Sequence, residues 1–270
     1  MRTYGFLGAG HMSQAIIRSL IESASVKPEH IWVSNRSAGK LDRLVEQTGV
    51  HKAANNEELI DKAEVILLGV KPQDLVTAVE PIASSFDGSH IVVSLAAGVS
   101  LQNLKKLIPN VNQLIRIMPN AAVKVRRSVI GCSVSGEALW LKTLAQDLFK
   151  PLGEIVFVEE GEAFEALTVA CSSGIGFVYE LMEYWQDWLM DHDFSSEEAR
   201  RMTVGTFMGA ALMAHETPLT TIEELQNKVV SKKGVTAAGL DSIRELEMER
   251  LLRISFEKAV MRDRELGRLD

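Results

Sequence analysis

Two hydrophobic periodicities divide the chain. Up to about residue 158, short apolar runs rich in β-branched residues alternate with stretches in which apolar positions recur every three to four residues. The short runs predict β-strands, and repeats such as Ser13–Ser23 and Ala38–Gln47 predict amphipathic helices. Strands that alternate with helices predict a doubly wound, mostly parallel sheet with helices on both faces. The predicted strands are Tyr4–Leu7, Ile31–Ser34, Val65–Leu68, Ile91–Ser94, Gln113–Ile117, Ser128–Ser133 and Ile155–Val158.

After Glu159 the strand pattern stops and the helical period continues. Glu162–Met190 is typical of one long helix, weakened in its middle by the small residues at 172–176. The segment Ser195-Ser196-Glu197-Glu198 marks the start of another helix, with a hydroxyl at the cap and acids in the first turn. We therefore predict an α/β domain over residues 1–158 and an all-helical domain over 159–270. The last helices are predicted at Ile222–Val230, Thr236–Leu246 and Glu249–Leu266.

Composition and charge exclude several function classes. The 270 residues carry 29 Lys and Arg against 36 Asp and Glu, and this net charge of −7 argues against a nucleic-acid-binding surface. The two cysteines and six scattered histidines have no metal-ligand spacing, so we predict no metal site. The first strand begins at Tyr4 and no apolar run reaches about 18 residues. We therefore expect a cytoplasmic protein with no signal peptide and no membrane partner.

The segment GFLGAGHMSQAI, from Gly5 to Ile16, joins the first strand to the first helix. Gly8 permits a tight turn, and Gly10 lets the backbone approach a pyrophosphate at the helix N-terminus, as in the fingerprint of Rossmann-type dinucleotide sites. Ser13 stands at the third fingerprint position and is small enough for the helix to pack on the strand. The strand–loop–helix context favours a dinucleotide site over a simple glycine turn.

The end of the second strand indicates which dinucleotide binds. An NAD site usually carries an acid there, which binds the ribose 2′-hydroxyl. This chain has Ser34-Asn35-Arg36-Ser37 instead. Arg36 can pair with a 2′-phosphate, and Asn35 and Ser37 can donate hydrogen bonds to it. We therefore expect NADPH as the cofactor, with NADH still open; the alternative is a polar turn with an incidental arginine.

The helical half offers more apolar surface than one face of a sheet can cover. Small residues at Gly205 and Gly209 would let helices pack closely, and Trp185, Trp188 and Met190 add large apolar side chains. We therefore predict an intertwined homodimer through these helices. A compact monomer with an internal helical core is the alternative.

Taken in order, the motifs resemble those of the pyrroline-5-carboxylate reductases, which make proline by reducing a cyclic imine. GAGHM (8–12) resembles their cofactor loop and NR (35–36) their 2′-phosphate contact. GVKPQ (69–73), SLAAGVSL (94–101) and RIMPN (116–120) resemble the segments at the next three strand ends. CSSGIGF (171–177) resembles the family's SGSGPAY, and VSKKGVTAAGL (230–240) its SPGGTTAAGL. This resemblance covers essentially the whole chain.

The resemblance implies a catalytic residue, a substrate site, a cofactor site and an assembly. Thr236 would hydrogen-bond the ring nitrogen of the imine, although Ser231 and Thr236 could also be simple helix caps. The assembly would be a homodimer through an all-α dimerisation domain, with a larger ring of dimers also open. The substrate, a cyclic imine carboxylate, would be bound by Ser173, Ser231, Gly234, Val235 and Thr236. The cofactor would be bound by Gly8, Gly10, His11, Met12, Asn35, Arg36, Ser37, Asn56, Val70, Lys71, Pro72, Ala96, Ala97 and Gly98.

Three departures from the family's pattern lie near the implied substrate pocket. Ile175-Gly176-Phe177 replaces Pro-Ala-Tyr, and Ala121-Ala122 replaces Thr-Pro. Lys232-Lys233 replaces Pro-Gly, and Val235 replaces the first Thr. These changes leave open a catalytically weakened, regulatory relative. A hydroxyacid-dehydrogenase-like oxidoreductase is the other alternative, but it typically needs a Lys on the first long helix as a proton shuttle. Residues 164–190 contain neither Lys nor His.

Overall fold

A computed structural model describes residues 2–268 of the chain, and eight strands within that range form one sheet. The strand order is β3-β2-β1-β4-β5-β6-β7-β8, and every neighbouring pair is parallel except β6 and β7. The predicted fold class is therefore confirmed. The strands are β1 (Tyr4–Leu7), β2 (Ile31–Ser34), β3 (His51–Lys52), β4 (Val65–Leu68), β5 (Ile91–Ser94), β6 (Gln113–Met118), β7 (Ser128–Val134) and β8 (Gly153–Phe157).

Helices connect the strands and then take over the rest of the chain. In the described residues no helix is both long and apolar enough to cross a membrane. One turn of π-helix, Thr168–Ser173, joins α7 to α8. The helices are α1 (His11–Glu22), α2 (Ala38–Thr48), α3 (Asn56–Lys62), α4 (Pro72–Val79), α5 (Leu101–Leu107), α6 (Leu139–Phe149), α7 (Glu162–Leu167), α8 (Gly174–Met190), α9 (Ser196–Glu216), α10 (Ile222–Lys228), α11 (Val235–Glu245) and α12 (Met248–Leu266).

The core lies on both faces of the sheet. Because successive side chains of a strand point to opposite faces, neighbours in sequence enter different clusters. Phe6 and Leu67 belong to the cluster on one face, and Leu7 and Leu68 to the cluster on the other. All four residues of β4 are buried, as expected of a central parallel strand covered on both sides.

Contacts divide the described chain into two compact units. The sheet unit comprises residues 2–175 together with 258–268, so the end of α12 belongs to it. The helical unit comprises Gly176–Glu257. The predicted domain boundary at 158 follows the change from strands to helices and stays a prediction.

Candidate active site

The predicted cofactor residues follow the strands at one edge of the sheet. The carboxyl ends of β2, β1, β4 and β5 meet there because these strands are parallel. In a doubly wound sheet this edge is where ligands bind, near the point at which the strand order reverses, here between β1 and β4. Asn56 is the first residue of α3, and the others lie after a strand or at the start of the next helix.

The glycine loop forms a bare cradle at the start of α1. Gly8 has φ +103, a conformation that favours glycine, and a Cβ there would lie 3.0 Å from the carbonyl oxygen of Gly69. Gly10 occupies the N-cap position, and no side chain caps the helix. A Cβ at Gly10 would meet only the Gly69 oxygen, at 3.6 Å. The first N–H groups of α1 are therefore available to an anion such as a pyrophosphate.

Ser13 serves the packing of α1 against the loop that follows β4. Its side chain is fully buried. A Cβ on Gly69 would overlap the Ser13 hydroxyl, so the helix and the loop approach each other closely. The Ser13 Oγ has no hydrogen-bond partner among the described residues. The third fingerprint position thus has the packing role that its small size predicted.

Asn35 braces the loops after β1 and β2. Its Oδ1 accepts a hydrogen bond from Ala9 N at 3.0 Å, and its Nδ2 donates to the carbonyl oxygen and the hydroxyl of Ser37, at 2.9 and 3.0 Å. Ser34 Oγ donates to Asn56 Oδ1 at 2.8 Å and ties β2 to α3. The amide hydrogens of Asn35 are thus used inside the turn, and donation from Asn35 to a 2′-phosphate stays a prediction.

Arg36 differs from its neighbours in this turn. The residue is exposed, and its guanidinium makes no hydrogen bond or ion pair with any residue in the range 2–268. Ser37, beside it, is also exposed. A free cation at the end of β2 fits a cofactor that carries a phosphate on the adenosine ribose.

Two further loops complete the cofactor edge. Lys71 is the N-cap of α4, and Pro72 is its first residue. Ala96 is buried, and Gly98 has φ +75. Asp263, in α12, and Gly267, just after it, approach Gly98 closely, which the resemblance did not indicate.

The π-helical turn is held at the end of β6. Ser172 Oγ donates to the carbonyl oxygen of Pro119 at 2.8 Å, and Asn120 Nδ2 donates to that of Cys171 at 3.1 Å. Ser173 is exposed beside them. Neither Ser172 nor Asn120 is among the predicted site residues, although both lie in segments that resemble the family's motifs. A π-helical turn is frequently found at functional sites.

The remaining predicted substrate residues share one loop of the helical unit. Gly234 N donates to the Ser231 carbonyl oxygen at 3.0 Å and closes a turn in which Lys233 has φ +58. A positive φ at the third turn residue is typical of a type II turn, which favours Pro-Gly at the two positions held by the lysines. Thr236 is exposed in the first turn of α11. Gly234 is the N-cap of α11 and no side chain caps it, so the alternative that Ser231 or Thr236 is a helix cap is wrong.

The chain resembles known proteins along its whole length. A family model described as pyrroline-5-carboxylate reductase dimerisation matches residues 161–266, and one described as NADP oxidoreductase, coenzyme F420-dependent, matches residues 3–98. The pyrroline-5-carboxylate reductase of Haemophilus influenzae is 32% identical over 236 residues, which cover 87% of this chain and 86% of the relative.

Solved structures extend the likeness to three dimensions. The structure of a pyrroline-5-carboxylate reductase from Coxiella burnetii has a TM-score of 0.89 at 28% identity and covers 99% of both chains. That of the Plasmodium falciparum pyrroline carboxylate reductase with NADP bound has a TM-score of 0.88 at 21% identity, covering 99% of this chain and 98% of the other. The latter shows a shared fold.

Proposed function

The chain belongs to the pyrroline-5-carboxylate reductase family, and from this premise we propose that it reduces 1-pyrroline-5-carboxylate to L-proline with NADPH. It is an oxidoreductase that acts on a C=N bond, in the last step of proline biosynthesis. The observation that carries the proposal is the bare cradle at Gly10, whose backbone lies open at the start of a helix of twelve residues.

NADPH fits the residues around this cradle. The N-terminus of α1 would hold the pyrophosphate, and the unpaired guanidinium of Arg36 would hold the 2′-phosphate. The Plasmodium falciparum relative was solved with NADP bound. When bound, the reduced nicotinamide supplies the hydride. The loops Val70–Pro72 and Ala96–Gly98 would orient it at the sheet edge.

Substrate binding is assigned to the loop before α11. A helix N-terminus suits a carboxylate, because its free N–H groups and its dipole favour an anion. The neighbouring helices α9 and α10 each begin with a complete capping box, at Ser195 and Thr221, whereas α11 begins at a bare glycine. Its N–H groups are therefore available to the substrate. Thr236 would hold the ring nitrogen, and because the imine is basic, no stronger acid is required of the protein.

We propose the assembly that the resemblance implied and the location that the composition predicted. It would form a homodimer through the C-terminal helices, and the matched dimerisation model over residues 161–266 supports this. A larger ring of dimers and a cytoplasmic location are further parts of the proposal. Ser173, exposed at the π-helical turn, would contribute to substrate binding.

The test is the oxidation of NADPH and NADH in the presence of pyrroline-5-carboxylate. The parent should form proline, and Arg36→Ala should raise the KM for NADPH at least tenfold, because one charged hydrogen-bond partner is worth about 1.5–3 kcal/mol. The KM for NADH should hardly change. Arg2→Ala is the matched control, because Arg2 precedes β1 and Arg36 follows β2, so the two arginines lie at opposite ends of the parallel strands. Equal effects of Arg36→Ala on both cofactors would overturn the NADPH assignment, and a parent that forms no proline would overturn the activity.

A further inference from the structure

The loop between β5 and α5 holds three of the predicted cofactor residues, Ala96–Gly98. At its start, Ala96 N donates to Ser94 Oγ at 3.2 Å. At its end, Ser100 caps α5 by accepting from Asn103 N. Between these two bonds Gly98 takes φ +75, a conformation that favours glycine.

The end of the chain packs directly against Gly98. A Cβ on Gly98 would overlap the carbonyl oxygen of Asp263 and lie 2.5 Å from Gly267 N. A Cβ on Gly267 would in turn overlap the carbonyl oxygen of Gly98. Asn103 Nδ2 donates to the carbonyl oxygen of Gly267 at 3.0 Å. The two backbones are therefore in contact with no side chain between them.

Asp263 adds a buried charge to this contact. Asp263 is only 6% exposed. Burial raises the pKa of the Asp263 carboxyl, whereas Arg116 and the N–H of Gly98 lower it, and Glu165 raises it further. Because an aspartate is almost never fully buried unless it is paired, the nearby positive charge of Arg116 offsets part of the cost of this burial.

Arg116 lies near two acidic residues that flank this loop, Glu160 and Asp263. Its Nη1 lies 3.1 Å from Glu160 Oε1, and Glu160 Oε2 accepts from Leu101 N at 2.9 Å. Its Nε and Nη2 are buried without a hydrogen-bond partner in the described part of the chain. The Asp263 carboxyl supplies the second negative charge near this guanidinium. One carboxyl thus holds the end of the loop at Leu101, and the other faces its middle.

We infer that Asp263 and Gly267 are positioning residues for the loop Ala96–Gly98. From the far end of the chain they fix the place of the backbone that would contact the cofactor. The inference rests on the proposed function, because the loop's role in cofactor binding is part of that proposal. Neither residue need touch the cofactor, since both act through Gly98.

Two substitutions test the contact from either side. Gly267→Ala should push the loop away, and Asp263→Ala should remove the acceptor that faces Gly98 N–H; each should raise the Kd for NADPH about tenfold. The kcat at saturating NADPH should change less than the KM for NADPH. Asp263→Asn keeps an acceptor oxygen and should return the Kd close to that of the parent. Gly88→Ala is the control, because a Cβ there meets nothing within 4 Å.

A purely structural role gives a different result. If Gly267→Ala and Asp263→Ala lower the unfolding midpoint while the folded proteins keep the parent's Kd for NADPH, the inference is overturned. The same holds if Asp263→Asn is as damaging as Asp263→Ala, because the acceptor oxygen would then be irrelevant.

Hydrogen exchange separates this inference from the proposed function. Without nucleotide, the amides of residues 96–101 should exchange faster in Gly267→Ala than in the parent or in Gly88→Ala, because the loop has lost its support. Unchanged exchange would refute the positioning role. A parent that binds no NADPH in titration, with exchange altered as expected, would instead refute the cofactor site and leave the contact established.

Discussion

In the sheet unit most large apolar side chains are covered, whereas in the helical unit many of them face outward. Phe6, Phe86 and Phe149 are at most 1% exposed, but Trp188 is 61% and Leu212 51% exposed. Throughout the helical unit, every residue of which is described, only Ala199 and Thr203 are buried. Exposed apolar surface on this scale marks an interface. The sheet unit therefore carries its own core, and the helical unit requires a second surface to complete its core.

The largest expected effect is on the assembly of two copies through the helical unit. Leu212→Asp, in α9, should dissociate the proposed homodimer, because a charge would replace an apolar contact once in each copy. Truncation of a hot-spot residue at an interface costs at least about 2 kcal/mol, and the two-fold symmetry applies that loss twice. Light scattering at micromolar concentration measures the change in mass.

The matched control is Leu139→Asp in the sheet unit. Leu139 is 75% exposed, more than Leu212, so exposure alone does not predict a larger effect of the charge at Leu212. The control should keep the parent's mass. A Leu212→Asp protein that stays dimeric would show that the copies meet elsewhere.

A smaller effect concerns the chemistry assigned to the helical unit. Thr236→Ala should lower kcat about tenfold, with a smaller change in KM, because the hydroxyl would act mainly in the transition state. The affinity for NADPH, which the sheet unit would bind, should not change. Thr236→Ser keeps the hydroxyl and should retain most of the activity. A loss of nucleotide affinity on Thr236→Ala would contradict this division of labour between the units.

The smallest expected effect tests the turn before α11. Lys233 has φ +58, which costs a non-glycine residue about 1–2 kcal/mol. A glycine there removes this strain, but its greater freedom in the unfolded chain lowers the stability by about 0.4–1 kcal/mol. Lys233→Gly should therefore stabilise the protein by roughly 0.5–1 kcal/mol in urea unfolding, and Lys232→Gly should not. Activity should stay near that of the parent. A large gain in proline formation from Lys232→Pro with Lys233→Gly would instead favour the weakened, regulatory relative.

The strands that were predicted to the residue are those with the simplest environment. β1, β2, β4 and β5 are short, mostly buried apolar runs, so composition alone bounds them. β3 was missed because it has only two residues, His51 and Lys52, both exposed. β8 begins at Gly153 rather than at Ile155, because it pairs with β7 from Ser128 onward.

The single helix predicted over 162–190 is interrupted by the π-helical turn. Its cause is tertiary. Ser172 bonds to Pro119 and Asn120 bonds to Cys171, and the residues of each pair are more than 50 positions apart in the chain. Local composition indicated a weak point at 172–176 but could not show a register change that begins at Thr168.

The candidate site shows the same limit. The glycine loop could be predicted because glycine is the residue that permits the backbone conformation and the close approach that the loop requires. The bracing role of Asn35 and the contact of Gly98 with Asp263 depend on partners that no local pattern identifies. The resemblance identified the candidate site residues, and the structure explains why several of them occupy their positions.

The division of the sheet unit into two stretches of chain has a consequence during synthesis. The ribosome completes residues 2–175 first and then makes the whole helical unit before residues 258–268 appear. At about 5–20 residues per second, that interval lasts roughly 4 to 16 s. During it, the loop after β5 is uncovered and Arg116 has no Asp263 beside it. Residues 258–268 are thus expected to complete a unit whose larger part is made before the helical unit.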